Sequence, residues 1–319
     1  MDFVLPILLF AIGVVLVVKG GDIFVDAASW IAEKSGIPKI IIGATIVSLA
    51  TTLPELLVSV MAAVDGKVDM SIGNAVGSVT ANIGLIMALA LICMPGIISR
   101  SDYLFKSILM IAAAALITVC GIAGAVSVPI SAMLLIVFFV FMWENLRAVK
   151  KTLDNKQTEN EEVENSKRVL IANILKFVIG AAGIVIGSQL LVDNGSILAR
   201  IIGVPERVIG VTLIAVGTSL PELITTITAI VKKQSSLSIG NILGANIIDL
   251  TLIMPLSSLI SGKALPVSTT FALVDLPICL LVGLIALVPA MIRSKFSRWQ
   301  GVLLMIVYAA YIVVTCSMG

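Results

Sequence analysis

The 319 residues include no histidine, and only 13% are Asp, Glu, Lys or Arg. Without imidazole there can be no Ser–His triad and no histidine-bearing zinc site. The four cysteines (Cys93, Cys120, Cys279 and Cys316) stand apart in apolar stretches with no CxxC spacing, so they read as small hydrophobes rather than redox or metal pairs. No glycine-rich phosphate loop occurs, because Gly73-Asn74 and Gly240-Asn241 fall inside long apolar runs, where glycine permits close packing.

What the chain has instead is apolar length. It is 59% hydrophobic with a mean hydropathy of +1.15, outside the range of a soluble domain of this size. Ten apolar runs can be counted, each near the ~20 residues that cross a ~30 Å hydrocarbon core. The expected fold is an all-α polytopic membrane protein. The first run, from Phe3 to Val18, follows Met1-Asp2 rather than a basic segment and precedes no small-residue cleavage site, so it reads as the first membrane helix and not a signal peptide. The second is expected as one helix over residues 39–64. The fourth and fifth, about 103–123 and 128–148, read as apolar scaffold without embedded charge. Residues 150–168, rich in Lys, Glu, Asn and Gln, read as a solvated linker.

Charge inside the apolar runs is sparse and repeated. Thr51-Thr52-Leu53-Pro54-Glu55 recurs as Thr218-Ser219-Leu220-Pro221-Glu222, an offset of 167. At that offset residues 36–59 match in ten of twenty-four positions and residues 71–82 in five of twelve; the matches include Gly, Pro, Thr, Asn and Glu as well as aliphatics. Duplication of a five-helix unit explains this, giving residues 1–149 and 169–319 as two halves joined by the linker 150–168. Five is odd, so the second half must enter the membrane inverted, an architecture that places a binding site at the midplane of many transporters. With the N- and C-termini outside, the cytoplasmic connections hold fifteen Lys/Arg against four outside, in line with the positive-inside rule.

An intramembrane carboxylate is costly enough to mark function. On the second helix Thr45, Ser48, Thr52, Glu55 and Ser59 follow spacings of three and four and form one polar stripe. Ser71, Asn74, Ser78 and Asn82 repeat the device on the third helix, and Ser238, Asn241 and Asp249 on the eighth. Pro54 and Pro221 lack an N–H, which frees carbonyls near Ala50 and Gly217. The donor set is all oxygen, and it suits hard cations such as Ca²⁺, Na⁺ or Mg²⁺. Asp275 and Asp102 read as helix N-terminal residues, and Asp26 and Asp193, equivalent at offset 167, as lying near helix ends.

The segments GATIVSLATTLPE with SIGNAVGSVTAN, and GVTLIAVGTSLPE with SIGNILGANIID, resemble the two α-repeats of the cation/calcium exchanger superfamily, and within it a prokaryotic sodium/calcium exchanger. The resemblance implies a secondary antiporter that exchanges Na⁺ for Ca²⁺ across the cytoplasmic membrane by alternating access. It implies a calcium site at Glu55 and Glu222 with backbone oxygens of Thr51 and Thr218. Sodium sites would use the same carboxylates with the Ser48 and Ala215 carbonyls, Thr51, Thr218 and Ser78. Asn82 and Asp249 would complete the cluster, supported by Thr52 and Ser219. Ala245 stands where the resemblance implies a serine hydroxyl matching Ser78. The long first and sixth helices resemble the family's sliding pair.

Proton/calcium exchange, potassium-dependent exchange and a cation channel are the alternatives. Enzymatic activity is not expected, since an intramembrane protease would need a Ser/His or Ser/Lys pair. No cofactor, nucleic acid or obligate protein partner is expected; the partners are Ca²⁺, Na⁺ and membrane lipid.

Overall fold

A computed structural model describes residues 3–97, 100–156, 163–203, 217–262 and 264–318. The described residues are almost wholly helical: α1 (Val4–Ser35), α2 (Lys39–Ile42, continuing to Thr51), α3 (Leu53–Val64), α4 (Val68–Ala81, continuing to Cys93), α5 (Arg100–Ile122), α6 (Val128–Lys156), α7 (Val163–Ile201), α8 (Leu220–Val231), α9 (Ser235–Ile248, continuing to Ser261), α10 (beginning at Phe271 and running to Arg293) and α11 (Arg298–Met318). Among them, eight helices are long and apolar enough to cross a membrane, or nine when α2 and α3 count as one bent span.

Residues 39–64 are therefore not one straight helix. The chain breaks at Thr52 and turns by 47° between α2 and α3. Pro54 sits in the first turn of α3, where its missing N–H would have had no helical partner anyway. The proline thus starts a new helix instead of kinking an old one. Pro221 occupies the same position in the first turn of α8.

α4 and α9 form the centre. Their central apolar stretches are 72% and 83% buried, against 28% for α1 and 17% for α7. α2 crosses α9 with backbones nearly touching: a Cβ on Gly240 would overlap the Ile40 carbonyl oxygen, and one on Gly43 that of Leu237. Such approach is open only to glycine, and small residues are how membrane helices gain close packing. α1 and α7 meet along a similar seam at the membrane-facing flank, where a Cβ on Gly20 would be 2.9 Å from the Gly180 carbonyl oxygen.

Three departures from the sequence reading concern charge. α5 and α6 do carry embedded charge: Lys106 is buried and pairs with Glu144 at 3.4 Å. Its long stem lies among apolar neighbours while its ammonium reaches a partner on the next helix. Asp275 lies inside α10, at the end of a π-helical turn, where it makes no cap and instead accepts a 2.6 Å hydrogen bond from Tyr311. Asp26 and Asp193 likewise lie well within α1 and α7 rather than at their ends. Asp102 falls in the first turn of α5. Helix also extends into both sides of the sequence-predicted linker, to Lys156 and from Val163.

Two short antiparallel ribbons tie the connections together. β1 (Gly96–Ile97), between α4 and α5, pairs with β4 (Lys295–Phe296), between α10 and α11. β2 (Ala125–Val126), between α5 and α6, pairs with β3 (Leu265–Pro266), between α9 and α10.

Candidate cation site

The two duplicated glutamates meet at the centre of the molecule. Glu55 lies in the first turn of α3 and Glu222 in the first turn of α8, each at the positive end of its helix. Their exposures are 1% and 0%, and Asp249, on α9, is also fully buried. Glu55 lies within electrostatic reach of both Glu222 and Asp249.

Several hydrogen bonds run across the halves. The Thr52 hydroxyl donates to Glu222 Oε1 at 3.2 Å. Thr51 donates to Asn241 Oδ1 at 3.2 Å, Thr218 to Asn74 Oδ1 at 3.3 Å, and Asn82 Nδ2 to Asn246 Oδ1 at 3.1 Å. Ser78 and Thr218 hydroxyls are 3.5 Å apart. Asn74 also donates to the Glu55 carbonyl oxygen at 3.1 Å and to Ser59 Oγ at 2.9 Å, fixing the start of α3. Against this network, both carboxylate oxygens of Glu55, Oε2 of Glu222 and both oxygens of Asp249 have no hydrogen-bond partner. Buried polar atoms are ordinarily paired, so five unpartnered carboxylate oxygens in one region point to a cationic ligand.

Most of the residues singled out in the sequence converge here: Thr51, Thr52, Glu55, Ser78, Asn82, Thr218, Glu222 and Asp249. Ser219 lies near Glu55, but its hydroxyl is not placed to complete a hydrogen bond. The Ser48 carbonyl is present but already engaged, accepting from the Thr52 amide at 2.9 Å and the Thr51 hydroxyl at 3.3 Å. Ala215 lies outside the described residues. Among the described residues no three His, Cys, Asp or Glu side chains alone enclose a metal position, so hydroxyl and carbonyl oxygens would have to complete a cation's shell.

Asn246 joins the network without having been singled out in the sequence. Its counterpart at offset 167 is Val79, so the repeat gives no hint of it; its spacing of three from Asp249 on one helix face is the signal that does. Backbone geometry adds a second feature. Asn82 and Asp249 each open a π-helical stretch, Asn82–Met87 and Asp249–Ile253, and a third, Gly43–Val47, precedes Ser48. Such wide turns disturb the regular carbonyl ladder and concentrate at functional sites.

Comparison with known proteins places these elements in context. The profile described as sodium/calcium exchanger protein matches residues 5–146 and 172–317. The sodium/calcium exchanger MaX1 of Methanosarcina acetivorans is 31% identical, with 96% of this chain and 97% of that protein aligned. The inner membrane protein YrbG of Escherichia coli is 32% identical over 93% and 92%. Among solved structures, the sodium-calcium exchanger NCX_Mj, soaked with Na⁺ and Sr²⁺, superposes with a TM-score of 0.81 at 30% identity, covering 98% of this chain and 99% of that one.

Proposed function

The chain belongs to the sodium/calcium exchanger family and exchanges Na⁺ for Ca²⁺, and we propose that it does so by alternating access around the site shared by Glu55 and Glu222. Ca²⁺ is held by these two carboxylates with oxygens of Thr51 and Thr218. Na⁺ ions use the same carboxylates together with the Ser48 and Ala215 carbonyls, Thr51, Thr218 and Ser78. Asn82 and Asp249 complete the cluster, and Thr52 and Ser219 support it. The observation that carries this reading is the set of unpartnered, fully buried carboxylate oxygens on Glu55, Glu222 and Asp249.

Exchange follows from charge. A dication balances two carboxylates as well as two monocations do, so Ca²⁺ and Na⁺ compete for one cavity. Bare carboxylates are costly at membrane depth, so the loaded forms interconvert between inward and outward states while the empty one crosses poorly.

The frame is ten helices in two inverted halves, 1–149 and 169–319, joined by the linker 150–168. The bent pair α2 and α3 forms one of the ten. Three observations support the duplication and its inversion. The two family-matched segments begin 167 residues apart (172 minus 5). The bounds of α3 and of the first stretch of α4 recur at that offset in α8 and α9. The ribbons give the direction: β1 and β3 lie in equivalent connections, yet β1 pairs with β4 and β3 with β2. Because β1 and β2 sit at opposite ends of α5, the equivalent connections lie on opposite faces.

Placing the termini outside and the linker in the cytoplasm puts most basic residues inside, and the host membrane is the cytoplasmic membrane. Purified protein in liposomes tests the reading under separate Na⁺, K⁺ and pH gradients. Ca²⁺ should follow the Na⁺ gradient alone; Ca²⁺ movement that follows only the pH gradient, or that requires K⁺, would replace sodium as the sole coupling ion.

A further inference from the structure

Away from the central cluster, the duplication sets two equivalent polar faces on the flanking helices, and they differ. On α1, Asp22 and Asp26 are one turn apart and share Lys232, whose ammonium lies 3.4 Å from Asp22 Oδ1, 2.7 Å from Asp26 Oδ1 and 3.0 Å from the Asp22 carbonyl oxygen. Moving by 167 residues converts Asp22 and Asp26 into Gln189 and Asp193 on α7, and Lys232 into Asp65. The residue equivalent to the cation of the first face is thus an acid, and Asp65 is itself paired with Lys67 at 3.2 Å.

Over the α7 face a cavity of about 130 Å³ opens instead, with Ser188, Gln189 and Asp193 on one wall and Pro54, Thr218 and Pro221 on the other. Among the described residues, no hydrogen bond or ion pair engages the Asp193 or Gln189 side chains. Ser188 is only 3% exposed and its hydroxyl has no partner, an uncommon state for a buried polar group. The inner wall leads into the central site, because Thr218 is bonded onward to Asn74 and lies beside Ser78, and Pro221 precedes Glu222. Asp193 and Gln189 are exposed at the rim of the cavity while Ser188 is buried in its wall, and Asp193 is eight residues before the end of α7 at Ile201, ~12 Å along the helix.

We propose that this recess is a transient cation-binding site on the approach from the face where α7 ends, at which an arriving Na⁺ or Ca²⁺ exchanges part of its water for oxygens of Asp193, Gln189 and Ser188 before passing Thr218. The donor set is again oxygen only, which suits hard cations. One carboxylate attracts without trapping, as a site that must release its ion inward requires. The equivalent face on α1 is closed by Lys232, so cations have this access on one side of the molecule. This inference rests on the exchange reading above.

The test uses the full-length protein in sealed vesicles of known orientation, with Ca²⁺ titrated from either face against a fixed Na⁺ gradient. Asp193→Asn should raise the Ca²⁺ concentration for half-maximal flux about threefold to tenfold when Ca²⁺ is presented at the face where α7 ends, a share of the 10- to 1,000-fold focusing that charged clefts provide. The difference from wild type should shrink as inert salt is added. Ser188→Ala, which keeps the charge, should give a smaller rise of the same sidedness that salt does not remove. Unchanged titrations in both variants, or an equal shift from both faces, would overturn the recess alone. Absence of Na⁺-driven flux in the wild type would overturn the exchange reading and the recess with it.

Discussion

The glutamate of the second half receives a hydrogen bond that the glutamate of the first half does not. Thr52 reaches Glu222 at 3.2 Å, whereas Ser219, the residue that repeats Thr52, leaves Glu55 without a hydrogen bond. The same polarity runs through the neighbouring pairs. Asn82 of the first half is matched at the offset of 167 by Asp249, and Ser78 by Ala245. Beyond the shared glutamates, the first half therefore supplies neutral oxygens and the second one further carboxylate. A duplicated frame need not carry duplicated chemistry, and the cation site is a composite to which neither half would be sufficient.

Neutralising either glutamate should have the largest effect. Glu55→Gln or Glu222→Gln leaves Ca²⁺ under-compensated at a depth where an unbalanced charge costs about 2.5–3.5 kcal/mol, so Na⁺-driven Ca²⁺ flux in liposomes should fall by roughly 100-fold or more in each. Flux retained by one variant alone would make the halves unequal in a deeper way than the hydrogen bonds suggest. Both proteins should insert and elute as wild type, because in the proposed site the glutamates serve to hold cations and not to anchor helices.

The hydroxyl donors give a sharper contrast. Thr52→Val removes a hydrogen bond to a charged acceptor, a contact worth about 1.5–3 kcal/mol, and should raise the half-saturating Ca²⁺ concentration about tenfold. Ser219→Ala removes a hydroxyl that makes no such bond, so Ca²⁺ titrations should shift by less than about twofold. Equal shifts would restore the symmetry that the geometry denies.

Asp249→Asn makes the two central positions alike. With Glu55 and Glu222 intact to balance the dication, the variant should keep Na⁺-driven flux within about threefold of wild type. Complete loss of flux would make the second half's extra carboxylate an obligatory ligand.

The smallest effect is expected at Ala245, fully buried opposite the role of Ser78. Ala245→Ser returns one oxygen, and the external Na⁺ concentration for half-maximal exchange should fall about twofold to threefold, within the range of one neutral hydrogen bond. Ca²⁺ dependence should not move.

The membrane class, the paired motifs and most of the convergent residues are legible in the sequence, because an offset of 167 preserves residue types that hydrophobicity alone would not. Geometry that depends on where a helix begins is not legible. Pro54 looks like an interruption inside a helix, yet it sits in the first turn of a new one, and only the break at Thr52 shows this. The π-helical stretches at Asn82 and Asp249 depend on a shift of hydrogen-bond register that leaves no pattern in the side chains. Lys106 falls in a run that reads as uncharged scaffold, and its burial emerges only with Glu144 as partner. Asn246 was hidden because its equivalent is apolar.

Ca²⁺ binding to the purified protein, titrated with Na⁺ at equilibrium, tests the shared composite site most directly. Na⁺ should displace the Ca²⁺ completely, with a Hill slope above one because more than one monocation balances the dication, and both Glu55→Gln and Glu222→Gln should lose the Na⁺-sensitive Ca²⁺ binding. Saturable Ca²⁺ binding that persists at high Na⁺, or that survives either substitution, would contradict a single cavity built by both halves.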